Sequence, residues 1–97
     1  MIDEIKLTKA IGDAARAEAL MRDELLTDAL MTLENSYIKG WRETLARDTD
    51  ARERYWQAVQ VVGKIRGHLG MIMANGRMAQ HELNMLAMKP AEIKAVT

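Results

Sequence analysis

The chain of 97 residues has no cysteine, no phenylalanine and one proline. Without cysteine there is no disulfide scaffold and no thiolate metal site. With two Trp and two Tyr as the only aromatic residues, any core must come from Leu, Ile, Val, Ala and Met. The single serine, Ser36, sits in Glu34-Asn35-Ser36 without the turn context of a nucleophile. His68 and His81 are thirteen residues apart and no Glu-x-x-His pair occurs, so a carboxylate-bridged metal site is not expected. No apolar run approaches the ~20 residues of a membrane span. Met1-Ile-Asp-Glu-Ile-Lys6 is mixed and charged, and no cleaved leader is expected. No enzyme, cofactor, metal or membrane association is expected.

What the chain does have is eight methionines, six glycines and 14 residues of each charge sign, for a net charge of zero. Methionine is unbranched and adaptable and suits cores and interfaces alike. Zero net charge argues against general nucleic-acid binding, which usually draws on a basic excess. The balance hides an asymmetry. Residues 1–50 hold seven basic and eleven acidic side chains, a net −4, and residues 51–97 hold seven and three, a net +4. Two arms folded on each other, or self-association, would satisfy both halves.

Periodicity predicts an all-α fold in one domain, a long antiparallel helical hairpin plus a short third helix. The first helix is predicted over about 13–46, with Asp13 as its N-cap. Leu26, Leu30, Leu33, Tyr37, Trp41 and Thr44 form its apolar face, and Asp23-Glu24 is an alternative restart. A turn over 47–50 follows, with Asp48 or Asp50 capping the second helix and Asp50/Glu53 spaced as a capping box. The second helix is predicted over about 50–74, with Tyr55, Ala58, Val62, Ile65, Leu69 and Ile72 as its core face. It is expected to end at Asn75-Gly76, a kinked continuation being the alternative. A short helix over about 77–88 closes against the hairpin before Lys89-Pro90.

The second helix carries another line. Trp56, Gln60, Gly63, Gly67, Gly70 and Ala74 fall at intervals of four and three, on one narrow stripe. Each glycine inside a helix costs about 1 kcal/mol relative to alanine, so such a line needs a compensating gain. Close approach of another helix backbone supplies one. The stripe is expected to be an interface seam between chains; packing within one chain, and a stripe that is simply exposed or broken near Gly70, are the alternatives. Trp41 and Trp56 flank the turn and are expected to plug the hairpin tip, a binding hot spot being the sharper reading. Arg42, Arg47, Arg52 and Arg54 crowd the same end, where Glu43, Asp48, Asp50 and Glu53 balance them.

Several segments carry a resemblance: Tyr37-Ile-Lys-Gly-Trp41, Arg47-Asp-Thr-Asp-Ala-Arg-Glu53, the run Val59 to Leu69, Gly76-Arg77-Met78-Ala79, and Glu82-Leu83. They resemble a family of small phage and prophage proteins of alphaproteobacteria. In that family a Trp precedes a short acidic turn, a long helix and a Gly-basic-apolar-Ala step. The resemblance covers about two-thirds of the chain and brings no catalytic motif. It implies a virus-encoded accessory protein in the host cytoplasm, taken into the virion or helping to assemble it, with itself or virion proteins as partners. The less favoured alternatives are a nucleic-acid-associated packaging or regulatory protein, and an inhibitor of a host defence enzyme.

Overall fold

The computed structural model describes residues 3–88. It is all-α, with α1 at Glu4–Arg22, α2 at Glu24–Glu43 and α3 at Thr49–Ala87. Each helix begins directly after an aspartate. The backbone N–H of Ile5 donates to Asp3 Oδ1 (2.9 Å), that of Leu26 to Asp23 Oδ1 (2.9 Å) and that of Ala51 to Asp48 Oδ1 (3.2 Å). A carboxylate there satisfies an orphan donor and faces the positive end of the helix. Asp48→Ala is therefore expected to cost about 1 kcal/mol, read as a lower urea midpoint.

These caps redraw the expected boundaries. The helix predicted over 13–46 is two helices, because Asp23 is extended (φ −70°, ψ 116°) and caps α2. Asp13 does not cap anything. It lies inside α1, where Lys9 Nζ donates to its Oδ2 at 2.7 Å and holds its carboxyl below the usual range. A lowered carboxylate value favours the folded state above about pH 4 and loses that contribution as pH falls through it. The turn spans residues 44–48 and not 47–50. Thr44 turns extended, its Oγ1 donates to the Trp41 carbonyl (2.6 Å), and Asp48 restarts the chain. The capping box expected at Asp50 and Glu53 is replaced by this Asp48 cap.

The largest change is at Asn75-Gly76. The helices predicted over 50–74 and 77–88 are one helix of 39 residues. No glycine among the described residues has a positive φ, so Gly76 is not a C-cap. Its role is steric. A Cβ on Gly76 would collide with Ala14 Cβ and stand 3.0 Å from the Ala10 carbonyl oxygen, so the missing side chain is what seats α1 against α3.

The described residues fall into two compact units. One joins the chain up to Glu18 with the chain from Gly70 on; the other is Ala19–Leu69. A helix as long as α3 outruns any single partner here, so α1 covers its second half and α2 its first.

The Ala19–Leu69 unit is the antiparallel hairpin. Pairs from α2 to α3 run in opposite directions: Glu34 bonds Arg66, and Gly40 lies under Tyr55. A Cβ on Gly40 would come within 2.6 Å of Tyr55 Cζ. Leu30 and Val62 are buried between the helices. The Arg66–Glu34 pair is about one-third exposed on each side, so its contribution is modest, about 1 kcal/mol at most. In the other unit Ala17 and Ala79 are buried.

Candidate functional site

What is unusual is how little of the apolar sequence is covered. Ala17, Leu30, Val62 and Ala79 are the only buried hydrophobic residues among those described, and no large side chain is fully enclosed. Thirteen large apolar side chains are exposed, from Leu25 and Ile5 at 81% to Tyr55 at 37%. Leu33, Tyr55 and Ile65, all expected on packed apolar faces, are among them. The apolar arc of α3 is the reason. From Val59 through Val62 to Val61 it spans about 160° at ~100° per residue. One facing helix covers less than that, so the flank carrying Val61 and Ile65 stays bare.

On that flank the hairpin has two depressions. One, of about 360 Å³, lies among Tyr37, Ala51, Arg54, Tyr55 and Ala58. The other, of about 700 Å³, has Leu20, Leu26, Val61, Ile65 and Leu69 as its apolar lining, with Lys64 and His68 beside them. Leu33 is one helical turn from Tyr37 and two from Leu26, so it continues the α2 side of the same face. Sequence reading missed this groove. Its signal was the second apolar line, Ala58–Val61–Ile65, running beside Tyr55–Val62–Leu69.

The expected seam lies on α3 away from this groove. Trp56, Gln60, Gly63, Gly67 and Gly70 are exposed, and Ala74 is half-buried. The helix is unbroken at Gly70. No atom stands within 4 Å of a Cβ built on Gly63, Gly67 or Gly70. Among the described residues neither packing against these glycines nor a break near Gly70 is found, and the stripe stands exposed.

At the hairpin tip Trp41 and Trp56 meet, with ring centroids 6.2 Å apart and planes tilted 42°. The Arg52 guanidinium lies 5.1 Å from the Trp41 ring centre, and its Nη1 donates to Thr44 Oγ1 at 3.4 Å. A cleft of about 470 Å³ opens among Trp41, Thr49, Arg52, Glu53 and Trp56. The pair is therefore only a partial plug, with Trp56 48% exposed. The four arginines do not gather into one cluster. Arg52 faces the tryptophans, Arg54 lines the depression by Tyr55, and Arg42 and Arg47 are solvent-exposed.

A further depression of about 360 Å³ lies in the other unit, beside the Ala14–Gly76 contact, with Ile11, Glu18, Met73 and Arg77 in its lining. His81 is exposed, and no group of three or more metal-ligating side chains occurs among the described residues. No helix described is long and apolar enough to cross a membrane. The arrangement thus offers apolar faces and aromatic edges rather than converging polar groups. Comparison with family models, with curated proteins and with solved structures gives no match to this chain.

Proposed function

We propose that this is a non-enzymatic helical protein that works by protein–protein association, as a structural or assembly component of a phage or prophage particle. The observation that carries the reading is the uncovered apolar surface: among the described residues, four buried hydrophobic side chains against thirteen large exposed ones. A small chain must bury apolar area to offset the entropy of folding. Contiguous apolar faces left in water mark interaction sites. The three open glycines of α3 support the same reading, because they cost helix stability and no described residue packs against them. The phage context rests on the resemblance of residues 37–83.

The tip favours a protein partner over nucleic acid. Arg52 is engaged with Trp41 and Thr44, and Arg54 lies on another side of α3, so the basic cluster that phosphates would need is not assembled.

The test is size-exclusion chromatography with light scattering, on the chain alone and with purified proteins of the particle whose genome encodes it. A stoichiometric assembly, with itself or with one of those proteins, is the expected result. A lone chain at every concentration, in both settings, overturns the proposal.

A further inference from the structure

We draw no further inference here: the strongest candidate, the cleft at the hairpin tip among Trp41, Thr49, Arg52, Glu53 and Trp56, has one cation held by Trp41 and Thr44 and one carboxylate beside it, and nothing in the structure shows what covers it.

Discussion

Gly76→Ala is expected to destabilise the chain by about 2 kcal/mol, whereas Gly67→Ala is expected to stabilise it by about 0.5–1 kcal/mol. The two glycines share one helix and neither has a positive φ, so backbone freedom plays no part in the difference. At Gly67 the space is open, and alanine simply improves helix propensity. At Gly76 the new methyl meets Ala14 Cβ and the Ala10 carbonyl. These atoms are fixed to the α1 backbone and have no rotamer to escape into, so α1 must move off α3. Thermal melts give the opposite signs, and amide exchange should accelerate in residues 4–18 of Gly76→Ala. A Gly76→Ala chain as stable as wild type would mean that α1 does not pack on α3 through Gly76.

Leu30→Ala is expected to cost about 2–5 kcal/mol, in the usual range for removing a buried leucine. Leu30 and Val62 are the only large apolar side chains buried in the hairpin, at 7% and 3% exposure. A domain whose whole margin is of order 5–15 kcal/mol feels the loss of either. The melting temperature should drop by about 10 °C or more. Leu25→Ala makes the control: Leu25 is 81% exposed and its loss should change stability by less than about 0.5 kcal/mol. Equal melting of both variants would mean that the hairpin does not depend on the Leu30 contact.

These two residues also show which parts of the structure were readable from sequence. Leu30 was visible because its spacing with Leu26, Leu33 and Tyr37 is helical, and Leu26, Tyr37 and Leu30 do turn towards α3. Gly76 was misread because glycine serves two ends with one letter. After Asn75 it looks like a left-handed cap, but here it is a gap for Ala14, far away in sequence on α1. The break at Asp23 was visible as a restart signal, but Asp13 also reads as an N-cap, which set the expected start too early for α2. That reading of Asp13 likewise hid the start of α1, which runs through it from Glu4. The glycine stripe of α3 was fully legible, since it follows from spacing alone. The groove was not, because which flank of a wide apolar arc stays bare depends on where α2 lands. Ile65 was taken as core for the same reason.

The mass of the chain in solution, followed by light scattering over a wide concentration range, bears most directly on the idea that its bare apolar faces are made to be covered by another protein. The expected result is a defined assembly of twice the single-chain mass or more, with melting that rises with concentration as mass action requires. A chain that keeps its single mass and full helicity at every concentration, alone and with particle proteins present, would contradict it.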